Sequence, residues 1–325
     1  MSAVENESPN LVTIWLRLMK LRVIVLLQVT AICAILMHDI LARKGAIDSS
    51  QRGWFDTLVT SVLVILGGTL SAGGANAINM WYDRDIDKGM KRTVKRPIPA
   101  GQVTPLHALI FGMIIALIGI GVLWNIHWKA GFWGAFSVLF YVFIYTIWLK
   151  RRTPQNIVIG GAAGATPPLI GWAAAAAGGI ESSNAFDLGS PIPWLLFLLI
   201  FLWTPPHFWA LALYRSGEYG KVGIPMLPDV KGADRTLFES KIYCVLLVSL
   251  AAIPIIWSDY GLGISASILT AGLGIWYAST VWGIDATEDI DENGRLPSAF
   301  SSFMNSLKYL ALMFFGLVIV SALPF

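Results

Sequence analysis

Three oxygen-bearing side chains, Asn79, Asp83 and Asp87, recur at four-residue steps. At about 100° per residue in a helix, each step drifts by only about 40°, so the three share one face and Asp85 falls on the opposite one. Their positions are about 6 Å apart along the axis. That arrangement suits a hard, hydrated ion such as Mg²⁺, which binds through one or two carboxylates plus substrate phosphates. Arg84, Lys88, Lys91, Arg92, Lys95 and Arg96 lie among and just beyond these residues. An acidic row for a metal beside a basic loop for phosphate oxygens is what a diphosphate-handling site needs. The plainer alternative is salt bridging within a basic loop. Asn79 and the regular step are not expected of such a loop.

Two further stretches carry chemistry. Tyr145 to Thr153 contains Lys150, Arg151 and Arg152; Lys150 could reach phosphate, although basic residues also end many membrane helices. Trp203-Thr204-Pro205-Pro206-His207-Phe208-Trp209 places a histidine after two prolines that remove helical donors. A backbone broken at membrane depth is tolerated where it is buried in protein or lines a cavity, so His207 is expected at a cavity. A ligand or acid/base role for it and a purely hydrogen-bonded role both stay open at this point. His38, His107 and His127 fall near the ends of apolar runs and read as structural.

These residues need a scaffold, and the composition names its solvent. Of 325 residues, 56% are hydrophobic and 13% charged, against roughly 25% charged in a soluble domain. About nine apolar runs are long enough to cross a hydrocarbon core: 22–41, 57–82, 105–125, 131–149, 156–178, 192–214, 240–257, 260–284 and 302–323. The expected architecture is therefore all-α and multi-pass. With nine spans, the N-terminus shares its side with eighteen Lys and Arg residues, whereas Arg43, Lys44, Arg52 and Lys129 occupy the other. The positive-inside bias then predicts a cytoplasmic N-terminus and puts the row at the cytoplasmic end of the second span. Gly67 to Ala75 and Gly160 to Ala165 are rich in small residues, which predicts close packing and interior places for the second and fifth spans. Cys33 and Cys244 have no Cys or His neighbours at ligand spacing and read as packing residues. The first twenty residues show no cleaved signal pattern and are expected to be a cytoplasmic segment. A net charge of +3, carried in loops, gives no reason to expect nucleic acid. Charges gathered at one face, with no strong internal repeat, also argue against a transporter.

Taken together, the Asn79 to Asp87 row, Met90 to Thr93 with Arg96-Pro97, Tyr145 through Trp172, Pro205 to Leu211, and Gly223 to Pro228 resemble the UbiA superfamily of intramembrane prenyltransferases. Pro-Pro-His-Phe-Trp and Pro-Met-Leu-Pro resemble its members that farnesylate heme. The resemblance implies a UbiA-like helical bundle over 21–325, with a central cavity opening to the cytoplasm, in a bacterial inner membrane. It implies farnesyl diphosphate and protoheme IX as substrates, Mg²⁺ on Asn79, Asp83 and Asp87, and a hydroxyethylfarnesyl product that heme A synthase or oxidase assembly factors would take up. It further implies Arg92, Arg96, Lys150, Arg151 and Lys221 as diphosphate partners. His207, Arg215 and Glu218 would meet heme, with His207 binding iron or steering water. The second aspartate row common in the superfamily is replaced by Arg215-Ser216-Gly217-Glu218-Tyr219-Gly220-Lys221, in which Glu218 is the one carboxylate. The alternative acceptor within the superfamily is an aromatic quinone precursor, which would not need His207.

Overall fold

Lipid cannot hydrogen-bond a polypeptide, so each crossing segment must satisfy its backbone internally, and helices do so. The computed structural model describes residues 10–90, 92–177, 179, 182–215, 217–291 and 295–323. Lys91, Ser216 and the first nine residues of the expected N-terminal segment lie outside that set. The helices are α1 (Leu11–Met19), α2 (Leu21–Arg43), α3 (Trp54–Tyr82), α4 (Pro105–Ile126), α5 (Trp128–Leu139, continued by a π-helical Phe140–Leu149), α6 (Asn156–Ala165), α7 (Pro167–Ala175), α8 (Ile192–Tyr214), α9 (Leu227–Ser249), α10 (Ile253–Ile256), α11 (Gly263–Trp282) and α12 (Pro297–Ala322). Nine segments among the described residues are long and apolar enough to span a bilayer. α6 with α7, and α9 with α10, each make one of them. The chain is an all-helical integral membrane protein.

Two features depart furthest from the sequence reading. The seventh span begins at Leu227 rather than 240, because the chain turns at Gly232 (φ 80°) and continues as helix on both sides. α1 was not expected; Asn10 caps it by accepting from the Val12 amide at 2.9 Å, and its Trp15 packs on Phe111 of α4.

Small residues set the interhelical distances. A Cβ on Gly119 of α4 would come within 2.3 Å of the Ser71 amide nitrogen, and one on Gly171 of α7 within 2.2 Å of the Ala31 carbonyl oxygen. α3 and α4 therefore touch backbone to backbone, as do α2 and α7. The α6–α7 span is interior as expected, being the most buried of the nine. α3 is not: Leu58, Val62 and Leu66 face outward, and its small residues serve one side only. The main apolar core joins the second half of α2, α7, α8, α11 and α12. That core fills the half of the bundle away from the row.

Candidate functional site

The row stands where α3 ends. Asn79 occupies the last turn of α3, Asp83 caps it, and Asp87 lies in a 3₁₀ turn, Ile86–Gly89. The regular α-helix thus stops short of Asp87. Two backbone bonds keep the three in line nonetheless, from the Asp83 amide to the Asn79 carbonyl and from the Asp87 amide to the Asp83 carbonyl, both 2.9 Å. All three side chains are buried. Asp85 points away, as its phase predicts, and pairs with Arg151 at 2.7 Å. Hydrogen bonds from that guanidinium hold the Asp85 carboxyl down to about 2.

Carboxylates at a helix C-terminus face its negative pole, so they need cations. Each member of the row has one. Lys150 Nζ bonds Asp83 Oδ2, Arg96 donates to both Asp87 oxygens at 2.8 and 2.9 Å, and Lys20 Nζ donates to Asn79 Oδ1 at 2.9 Å. Asn79 in turn donates to Asp83 Oδ2 at 3.0 Å and to Thr146 Oγ1 at 3.1 Å. Thr146 is delivered by the π-helical end of α5, closed by a bond from the Lys150 amide to the Tyr145 carbonyl at 2.9 Å. Widened turns of this kind occur often at functional sites, because they re-aim one side chain without ending the helix.

Sequence reasoning missed Lys20. It joins α1 to α2 in a left-handed conformation (φ 55°), the one non-glycine positive φ among the described residues. A residue without Gly's freedom costs about 1–2 kcal/mol there, so its neighbours must hold it. Asn76 does so, donating to the Met19 carbonyl at 3.0 Å. Burial, then the nearby Arg96 and Lys150, pull the Lys20 amine down to about 7. An ammonium at this place is costly until an anion arrives. Between Arg17 and Arg22, Lys20 reads in sequence as one more basic residue ahead of the first span, and no local signal sets it apart.

One oxygen of the row is left over. Asp83 Oδ1 is buried with no hydrogen bond, and the Arg151 guanidinium stands 3.7 Å away. Among the described residues no three His, Cys, Asp or Glu side chains converge as a metal cluster. The row offers two carboxylates and one amide, an oxygen set that leaves the remaining positions of a hard cation to phosphate and water. The orphaned oxygen and the hard donors both fit Mg²⁺.

The other expected residues divide. Arg96, Lys150 and Arg151 meet the row. Arg92 is exposed on the loop after it, and Lys221 is exposed in the turn Gly220–Val222, which packs against Ile86–Gly89. Arg215 and Glu218 pair with each other at 3.6 Å. His207 lies apart, deeper in α8, stacked between Trp203 and Phe303 at centroid distances of 4.2 and 4.8 Å. The expected break before it is absent: α8 runs through Pro205 and Pro206 without interruption. The prolines remove two donors, but α6, α9 and α12 hold the helix on its path, and Thr204 Oγ1 donates to the Ile200 carbonyl at 2.7 Å.

Around the row, Tyr141 and Tyr145 stack at 5.4 Å. A Cβ on Gly160 would come within 2.3 Å of the Tyr145 ring, so α6 needs glycine there. Ile157, Ala212, Ile224 and Met226 close an apolar floor with Ile86 and Tyr145, which brings the ends of α3, α6 and α8 to the same end of the bundle. Two lateral grooves, one bounded by Leu63, Ile118 and Asn125 and the other by Leu21, Gln28, Cys33 and Phe315, do not include the row.

Residues 47–307 match the UbiA prenyltransferase family. Protoheme IX farnesyltransferases of Bartonella tribocorum and Gluconobacter oxydans are 42% and 41% identical, each over 94% of this chain and 90% of the relative. That of Parvibaculum lavamentivorans is 46% identical over 78% of this chain and 75% of its own. The fold is similar to that of a digeranylgeranylglyceryl phosphate synthase (TM-score 0.70, 18% identity, covering 96% of this chain and 98% of the other). It is also similar to a UbiA homolog from Archaeoglobus fulgidus bound to DMAPP and Mg²⁺ (TM-score 0.60, 17% identity, 93% and 98%). The chain belongs to the UbiA prenyltransferase family, in the branch shared with the protoheme IX farnesyltransferases.

Proposed function

We propose that this protein transfers the farnesyl group of farnesyl diphosphate to a vinyl group of protoheme IX, with addition of water, giving heme O and diphosphate. The observation that carries the reading is the buried row with its orphaned Asp83 oxygen and three cations, in a chain whose curated relatives are protoheme IX farnesyltransferases. Asn79, Asp83 and Asp87 hold Mg²⁺, as prenyl diphosphate and Mg²⁺ occur together in a fold relative. Mg²⁺, when bound, supplies positive charge to the departing diphosphate. Lys20, Lys150 and Arg96 exchange their row oxygens for phosphate oxygens, and Arg92, Arg151 and Lys221 add charge from the loops. The C1–O bond breaks with its electron pair going to diphosphate. The vinyl group then forms the new C–C bond, and water captures the resulting cation beside the porphyrin and loses a proton. Tyr141, Tyr145 and the apolar floor keep the allylic cation dry until the vinyl group reaches it.

His207 faces the heme, and Arg215 with Glu218 lies near its polar edge. The row end of the bundle faces the cytoplasm of a bacterial inner membrane and the central cavity opens on that side; 1–20 are a cytoplasmic segment that lends α1 and Lys20 to the catalytic domain formed by 21–325. Heme A synthase or oxidase assembly factors take the product. Membranes carrying the protein, given protoheme and radiolabelled farnesyl diphosphate, should yield labelled heme O. Label in a quinone intermediate with none in heme would overturn the assignment.

A further inference from the structure

His207 is held in one orientation and one tautomer. Its ring lies between Trp203 and Phe303, at interplanar angles of 21° and 25°. Trp203 is itself fixed, since its Nε1 donates to the Ser306 carbonyl at 2.9 Å. The Ser306 side chain meets His207 Nδ1 at 2.5 Å, and its single proton goes to the Phe303 carbonyl at 2.6 Å. A hydroxyl that has donated its proton can only accept at its second contact. Nδ1 must therefore carry the hydrogen. No carboxylate reaches the ring among the described residues, and an unpaired buried imidazolium is costly, so the ring is neutral. The lone pair is then on Nε2, which makes no hydrogen bond among the described residues, while the ring retains 6% exposure.

An imidazole whose Nδ1–H is anchored and whose Nε2 is bare is the form that ligates a transition metal. His207 is seven residues inside the end of α8 at Tyr214, about 10 Å deep at 1.5 Å per residue. A porphyrin bound there lies on the membrane-interior side of the row. We infer that Ser306 is a positioning residue that sets the His207 tautomer so that Nε2 coordinates the iron of the heme substrate; this rests on the heme reading above and names how that substrate is held. Ser306 is 99 residues from His207 in sequence and is fully buried. Ligation through a tautomer fixed at both ends orients the porphyrin, and with it the vinyl group.

The test is titration of the purified full-length protein with ferric protoheme IX and, separately, with metal-free protoporphyrin IX, followed by absorption spectroscopy. The wild type should show the bands of histidine-coordinated iron, and His207→Ala should lose them. Ser306→Ala, which keeps the ring and removes one oxygen, should weaken ferric protoheme binding by about 10–100-fold. Metal-free porphyrin should bind Ser306→Ala as it binds the wild type, and Ser306→Thr, which restores a hydroxyl, should recover the iron spectrum. An unchanged heme spectrum and affinity in Ser306→Ala would overturn the inference. So would a parallel loss of metal-free porphyrin, because that is what a merely structural role produces. Wild-type turnover of protoheme to heme O alongside either result sinks this inference alone, whereas failure of the wild type to make heme O sinks the reading beneath it.

Discussion

The bundle buries carboxylates at both ends, and the two sites are built to opposite standards. At the end away from the row, Asp39 of α2 accepts from His38 Nδ1 (2.9 Å), Arg52 Nε (3.1 Å), Arg52 Nη2 (2.7 Å) and Thr57 Oγ1 (2.6 Å). Arg52 also donates to Thr60, and Ser49 Oγ lies 3.0 Å from His38 Nε2. Both oxygens are filled, by partners from α2, the following loop and α3. At the row, Asp83 Oδ1 has no hydrogen bond, a lysine with its proton affinity lowered leans on Asn79, and the cations come from three separate segments, around Lys20, Arg96 and Lys150. A filled network closes a structure, whereas an incomplete one is arranged to receive something. Between these two carboxylates the partners make the difference and burial does not, since Asp39 and Asp83 are equally hidden.

Substitutions should break that contrast in opposite directions. Asp83→Ala should lower farnesyl transfer by about 10²–10³-fold, on the scale of removing a preorganised electrostatic partner, while the protein still inserts; near-normal turnover of labelled farnesyl diphosphate would remove the row from the chemistry. Asp39→Ala should do the reverse. Leaving Arg52 buried and unpaired costs about 3–5 kcal/mol, visible as a lower Tm in detergent, with the activity of the folded fraction retained. Lys20→Gln, which loses one charge-assisted bond, should raise KM for farnesyl diphosphate about tenfold or more, and an unchanged KM would make Lys20 a hinge residue only. The smallest effect belongs to Asp85→Asn: its exposed pair with Arg151 is worth at most about 1 kcal/mol, so Tm and turnover should both stay near wild type.

Hydropathy exposes the spans because each must be apolar over its whole length, and the four-residue step exposes the row because its spacing is local. The rest depends on distant partners. Lys20 meets Asn79 across 59 residues, and no pattern marks a lysine that will adopt φ 55°. Thr146 reaches Asn79 through a π-helical turn that residue order does not advertise. The prolines before His207 suggest a break that tertiary packing prevents; what fixes its ring is Ser306 on α12. Small-residue runs located α6–α7 correctly, yet placed α3 too deep, because close contact along one face does not require burial of the other.

On the proposed function, the incomplete row, and not the complete network opposite, receives metal and diphosphate together. Equilibrium binding of farnesyl thiolodiphosphate, an analogue slow to ionise, tests it most directly in wild type, Asp83→Ala and Asp39→Ala, with Mg²⁺ and with a chelator. Mg²⁺-dependent binding is expected in the wild type and Asp39→Ala, and its loss in Asp83→Ala or with the chelator. Tight, Mg²⁺-independent binding that survives in Asp83→Ala would contradict it.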